Sequence, residues 1–189
     1  SYMFDSEAQG LEELRKAAAV SVPEVVAKDT NYLLLEWIEE GDVSDDSSME
    51  KLGFQFAELH RFRGNKFGFM QENYLGNSPQ INIPSSAGSE NWATFYVENR
   101  LNHQAELAEQ NGYLTQEMRV LLDLLIMKIP DLLPGTEEKP SLLHGDLWCG
   151  NYLLDVSGKP WLIDPAVYYG CLLYTSDAAD DSLRVDLGG

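Results

Sequence analysis

Residues 141 to 166 read SLLHGDLWCGNYLLDVSGKPWLIDPA, and three of them, Asp146, Asn151 and Asp164, carry the side chains that phosphoryl transfer from ATP requires. That reaction asks little covalent chemistry of a protein. A carboxylate must orient and deprotonate the acceptor hydroxyl, and oxygen ligands must hold Mg2+ on the phosphates. Asp146 is the candidate base, and Asn151 and Asp164 are the candidate metal ligands. Asp146 and Asn151 stand five apart between two apolar runs, Ser141 to Leu143 and Tyr152 to Leu154, so one loop presents both. A tight turn at Val156-Ser157-Gly158-Lys159 then returns the chain through a third run, Trp161 to Ile163. It delivers Asp164 at a strand end, where a carboxylate can ligate a hard cation. Gly145 and Gly150 allow close backbone approach or a positive φ. An HGD tripeptide, or two aspartates beside a hairpin, is by itself ordinary turn chemistry. The asparagine at this spacing and the aspartate after an apolar strand set the string apart.

Other elements must hold that hairpin site, and the pattern predicts them in order. Ser6-Glu7-Ala8-Gln9 has the form of a capping box, and Leu11, Leu14, Ala18 and Ala19 follow at helical spacing. Val22 to Ala27 and Tyr32 to Ile38 read as a β-hairpin around Asp29-Thr30-Asn31. Gly41 to Ser48 is an acidic linker, and Ser47-Ser48-Met49-Glu50 opens a helix with Leu52, Phe56 and Leu59 on its apolar stripe. His60, at the end of that helix, is expected to be structural, with a place in a substrate cleft as the alternative. Residues 62 to 88, rich in Gly, Asn, Pro and Ser, read as a long irregular segment. Helical spacing returns from Ser89 to Gln110 and again from Thr115 to Ile129, where Pro130 is expected to end it.

HGDLWCGN followed by IDPA resembles the fructosamine kinase (ketosamine kinase) family, a branch of the protein-kinase-like fold that also holds aminoglycoside phosphotransferases and choline kinases. HGD, the asparagine and the later aspartate are shared across that superfamily, whereas Trp148 and the triplet Asp164-Pro165-Ala166 narrow the likeness to one branch. Cys149 stands where Ser or Gly is expected. The resemblance covers residues 4 to 170 and implies an α+β, protein-kinase-like two-lobe fold. In it, residues 1–40 are the remnant of a small lobe with its hinge, and 41–170 are part of a helical large lobe carrying the catalytic loop. Through the resemblance, Glu7 lies on the helix whose glutamate pairs with the ATP-binding lysine. Neither that lysine nor a glycine-rich covering loop precedes it; from the residues alone Glu7 is a glutamate suited to a first helical turn. The resemblance further implies that backbone groups of Glu36 and Ile38 bond the adenine edge, that His144 supports the loop, and that Trp148 faces the sugar. The implied cofactors are ATP and Mg2+. The implied reaction is phosphorylation of the 3-hydroxyl of a ketoamine, a fructosamine or ribulosamine on a small amine or a glycated protein. Its product is unstable and releases the amine, which is deglycation.

The bulk composition excludes other partners. A net charge of -18 opposes binding to nucleic acid or to an anionic membrane, because neutralising phosphates takes surplus Lys and Arg. Cys149 and Cys171 make no disulfide framework, and no export signal or membrane-length apolar stretch occurs, so a cytoplasmic setting is expected. An aminoglycoside- or choline-type kinase would use the same Asp146, Asn151 and Asp164, and a non-catalytic pseudokinase would not need the base. No nucleophile elbow is present for a hydrolase. From Cys171 onward, CLLYTSDAADD reads as translated transposase-type sequencing adapter, so residues 171–189 are expected to be non-native and the chain as written inactive.

Overall fold

The computed structural model describes residues 2–41, 46–133 and 138–172. The first helix, α1 (Tyr2–Ala17), begins four residues before the expected capping box. Ser6 therefore caps nothing: it lies buried inside the helix, and its hydroxyl donates to the Met3 carbonyl at 2.8 Å. Ala8, Leu11 and Leu14 are fully buried on one face, which is the stripe that the helical spacing calls for. β1 (Val25–Asp29) and β2 (Tyr32–Leu35) form the expected hairpin, shorter at its outer ends, with Asp29 opposite Tyr32 and an irregularity between Val25 and Ala27.

Beyond β2 the chain joins the second half of the molecule through backbone bonds. Gly41 N–H donates to Leu154 O at 2.9 Å and Val156 N–H donates to Glu39 O at 3.1 Å. Residues 42–45 of the expected linker lie outside the described residues. α2 (Asp46–Leu59) follows, burying Leu52 and Leu59. His60 is buried just past its end, with its ring edge on Phe56 at 4.4 Å between centroids.

Residues 62–88 are not wholly irregular. They contain a short antiparallel hairpin, β3 (Asn73–Leu75) and β4 (Ser78–Gln80), turned by Gly76 at φ 58°. Three-residue strands, one of them containing Pro79, are too short to show an alternation, which is why the pattern misses them. The helix expected from Ser89 starts later, because Asn91 is its cap and accepts from Thr94 N–H at 2.9 Å. It runs as α3 (Trp92–Tyr96), widens into a π-helical turn over Val97–Asn102, and continues as α4 (His103–Gln110). α5 (Gln116–Leu132) is capped by Thr115 and passes through Pro130. A proline costs a helix one hydrogen bond and a clash with the carbonyl four residues back, and in a final turn only one rung is lost. The expectation that Pro130 ends the helix is thus corrected by three residues.

Four short strands follow among the described residues. β5 (Ser141–Leu143) pairs with β8 (Tyr168–Gly170), which the pattern does not predict, and β6 (Tyr152–Leu154) pairs with β7 (Pro160–Leu162). One buried cluster joins Leu11 and Leu14 of α1, Leu59 of α2, Trp92 and Phe95 of α3, and Leu142, Leu143 and Leu162 of the strands; Cys171 also lies in it. By contrast α5 buries only Ile129 and leaves Leu121, Leu124 and Met127 exposed. No helix among the described residues is long and apolar enough to cross a membrane.

Candidate active site

The loop between β5 and β6 is built on His144, which is fully buried. Its Nε2 lies 3.0 Å from Ile163 O and its Nδ1 accepts from Asp146 N–H at 3.4 Å. These two bonds fix one neutral tautomer, with the proton on Nε2. They also tie the start of the loop to the strand end that carries Asp164. Gly145 follows at φ 86°, with the Ala166 carbonyl where a Cβ would stand, 1.9 Å away. No other residue fits there.

Asp146 is half-buried, and Asn151 is buried at 4 % exposure beside it. Asn151 Nδ2 donates to Asp146 O at 2.7 Å and to Asp146 Oδ2 at 3.1 Å. The amide thus spends its donor on the aspartate, and its Oδ1 is the atom left for a cation. Asn151 O accepts from Ile163 N–H at 3.0 Å, which brings the residue before Asp164 alongside the loop. Asp164 itself is exposed, with φ 51° in the left-handed region that non-glycine residues seldom occupy.

Glu7 reaches this cluster from α1. Burial, and then the charge of Asp164, push its carboxyl up to about 6. The approach is steric in origin: a Cβ on Gly10 would stand 3.1 Å from Pro165 Cγ, so α1 lies directly on the residue after Asp164. Glu13, three residues beyond Gly10, accepts from the Tyr169 hydroxyl at 2.8 Å and fastens α1 to β8 as well. Asp164 and the Asn151 amide oxygen, with the Asp146 and Glu7 carboxylates beside them, form an all-oxygen set with surplus negative charge. Among the described residues no three His, Cys, Asp or Glu side chains converge as a self-sufficient metal site. The set fits Mg2+, which is bound through one or two carboxylates and takes its other oxygens from phosphates and water.

The remaining expected residues lie further out. Trp148 is 42 % exposed. Its ring lies over Gly150, where a Cβ would come within 2.4 Å of it, so this glycine exists to make room for the indole. Glu36 N–H donates to Glu24 O at 2.8 Å, while Glu24 N–H is taken by the Glu36 carboxylate at 3.2 Å. The side chain thereby replaces the Glu36 carbonyl in the ladder. Of the Glu36 backbone, the carbonyl alone is left to meet a nucleotide. Ile38 is buried at 8 % exposure three residues past β2. Sequence reasoning missed Asp155, whose carboxylate accepts from Ser157 N–H and Oγ, Lys159 N–H and Trp161 Nε1 at 2.6–3.0 Å. It organises the turn between β6 and β7, and an aspartate two residues before Ser-Gly was the available signal.

Comparison with known proteins gives a consistent set of likenesses. The chain matches the fructosamine kinase family over residues 1–172. It is 35 % identical over 173 residues to the Synechocystis protein named "Probable ketoamine kinase", covering 89 % of this chain and 56 % of the relative. It is 34 % identical over 175 residues to the Arabidopsis thaliana "Protein-ribulosamine 3-kinase, chloroplastic", covering 89 % and 52 %. A crystal structure from Thermobifida fusca, described as "putative fructosamine-3-kinase", superposes with a TM-score of 0.76 at 33 % identity, covering 89 % of this chain and 56 % of that one. The chain spans about half the length of the curated relatives it matches.

Proposed function

The chain belongs to the fructosamine kinase family and has a protein-kinase-like fold, and from that premise we propose that the whole protein phosphorylates the 3-hydroxyl of a ketoamine with ATP and so promotes deglycation. The observation that carries this reading is the Asp146–Asn151 contact with Asp164 brought alongside through Ile163. Asp146 accepts the proton of the attacking hydroxyl, and its two bonds from Asn151 and the amide bond to His144 hold it in one orientation. Asn151 Oδ1 and Asp164 are the ligands for Mg2+, which when bound neutralises charge on the phosphates. Trp148, with its ring exposed, is the aromatic face offered to the sugar, and the Glu36 carbonyl and the Ile38 backbone are the groups offered to adenine. Residues 1–40 are the remnant of the small lobe with its hinge, and 41–170 are the part of the large lobe that carries the catalytic loop. The substrates are small ketoamines or glycated proteins rather than nucleic acid, in keeping with the net charge of -18. A reducing, cytoplasm-like compartment suits Cys149 and Cys171, which form no disulfide.

The test is an ATP- and Mg2+-dependent assay of the whole protein on fructosyl- and ribulosyl-lysine, with an aminoglycoside and choline as competitors. Asp146→Asn should lower kcat about 1,000-fold with ATP affinity little changed. Near-normal turnover would remove Asp146 from the role of base, and preference for an aminoglycoside or choline would replace the substrate.

A further inference from the structure

Two buried amides outside the loop touch the backbone just after Asp164. Asn73 and Gln80, 2 % and 5 % exposed, face each other across the β3–β4 hairpin. Gln80 Nε2 donates to Asn73 Oδ1 at 2.8 Å and to Ala166 O at 3.1 Å, and Asn73 Nδ2 donates to Val167 O at 2.8 Å. On the other side, Ala166 N–H donates to His144 O at 2.9 Å. The Ala166–Val167 backbone is therefore held from two directions, by the catalytic loop and by a hairpin distant in sequence.

Buried carbonyls need donors, and that alone would give the pair a purely structural role. Its location gives it more. Asp164 keeps a left-handed φ of 51°, a conformation that persists only where the surroundings over-determine it. Between Asp164 and the clamped carbonyls stands only Pro165, whose ring removes one rotatable backbone angle and which is packed against Gly10 of α1. A segment so short and stiff passes any movement of Ala166 directly to the Asp164 carboxylate. We propose that the Asn73–Gln80 amide pair is a positioning device that sets the aim of Asp164 toward its cation. This rests on the reading of Asp164 as a metal ligand.

The experiment uses the whole protein with Mn2+ as probe and ATP present, reading free Mn2+ by electron paramagnetic resonance and backbone exchange by NMR. Gln80→Met keeps the shape and removes the donor. It should weaken Mn2+ affinity ~10-fold, as loss of a residue supporting a ligand does. It should also speed exchange of the Ala166 amide while leaving that of Leu142, which donates to Phe62 O, unchanged. Asn99→Leu is the control: Asn99 is an equally buried amide that donates to Ile83 O, away from Asp164, so this variant should lower Tm and leave Mn2+ affinity alone. If Gln80→Met does not fold, Asn73→Leu, which keeps the Gln80 bond to Ala166, is judged by the same criteria. Mn2+ affinity within twofold of wild type in the clamp variant, or an equal loss in Asn99→Leu, would overturn the positioning role. Asp164→Ala separates the two readings: if it abolishes Mn2+ binding while Gln80→Met does not, the clamp alone fails. If Asp164→Ala changes nothing, the ligand assignment fails and the clamp's role falls with it.

Discussion

Asp146 and Glu7 approach one site from opposite ends of the chain and are held there in opposite ways. Asp146 sits in a loop that closes its own hydrogen bonds, with His144 behind it and Asn151 across it. Glu7 is carried in on a helix that packs through Gly10 on Pro165, and the charge it meets is another carboxylate, Asp164. The first is order made by short-range polar contacts; the second is order made by packing against an electrostatic cost. The difference is that the loop is closed by its own hydrogen bonds, whereas the α1 side brings two carboxylates together.

The largest effect should come from breaking the hydrogen-bonded side. Gly145→Ala forces a methyl group into the Ala166 carbonyl and a side chain into φ 86°. Strain and overpacking together should cost about 3 kcal/mol or more, read as a fall in the denaturation midpoint. Gly10→Ala, on the packed side, meets Pro165 Cγ at 3.1 Å, a tight contact but without the backbone strain of a positive φ, and should cost less. Equal losses at the two glycines would erase the distinction between the regions.

Much of this was legible in the residues, unevenly so. The strands around the loop, the loop itself and the return to Asp164 follow from apolar runs and turn residues, all local signals. The start of α1 was misplaced because Ser6 and Gln9 imitate a cap, whereas Ser6 is buried within the helix and bonds back to the Met3 carbonyl of the turn before it. β8 escaped notice because its pairing partner, β5, is closed by contacts remote in sequence. Asn73 and Gln80 escaped for the same reason: their partners are the carbonyls of Ala166 and Val167, and a carbonyl leaves no mark in a sequence. The loop that carries the candidate residues was readable, and the buried contacts beneath it were not.

A smaller effect should sharpen the hydrogen-bonded side. The Ser157 hydroxyl first, then the Trp161 indole and the Lys159 and Ser157 amides, hold the Asp155 carboxyl well below the usual carboxylate range. A folded-state pKa below the unfolded one gives stability that is present above about pH 4 and is lost as pH falls below it. Asp155→Ala should therefore lower Tm at pH 7, and the gap from wild type should narrow between pH 4 and pH 2. A gap of constant size would mean that Asp155 acts through shape rather than charge.

The smallest effect has the opposite sign and bears on the packed side. Burial, and then Asp164, raise the Glu7 carboxyl from its ordinary 4.5 to about 6, so the folded chain holds more protons than the unfolded one across that window. Stability must then fall as pH rises from about 4.5 to 6 and stay flat above, because the linkage slope follows the proton difference. The displacement corresponds to at most about 2 kcal/mol, and partial exposure of the side chain reduces it to about 1 kcal/mol. Glu7→Gln should accordingly be more stable than wild type at pH 7 by about 1 kcal/mol and equal to it near pH 4. Thermal melts across that range provide the measurement. Mg2+ and ATP should shrink the pH 7 gap without closing it, since a cation at Asp164 offsets the smaller of the two causes and leaves burial in place. A Glu7→Gln variant less stable than wild type at pH 7 would mean that Glu7 already has a cationic partner, and the contrast with Asp146 would then be one of degree.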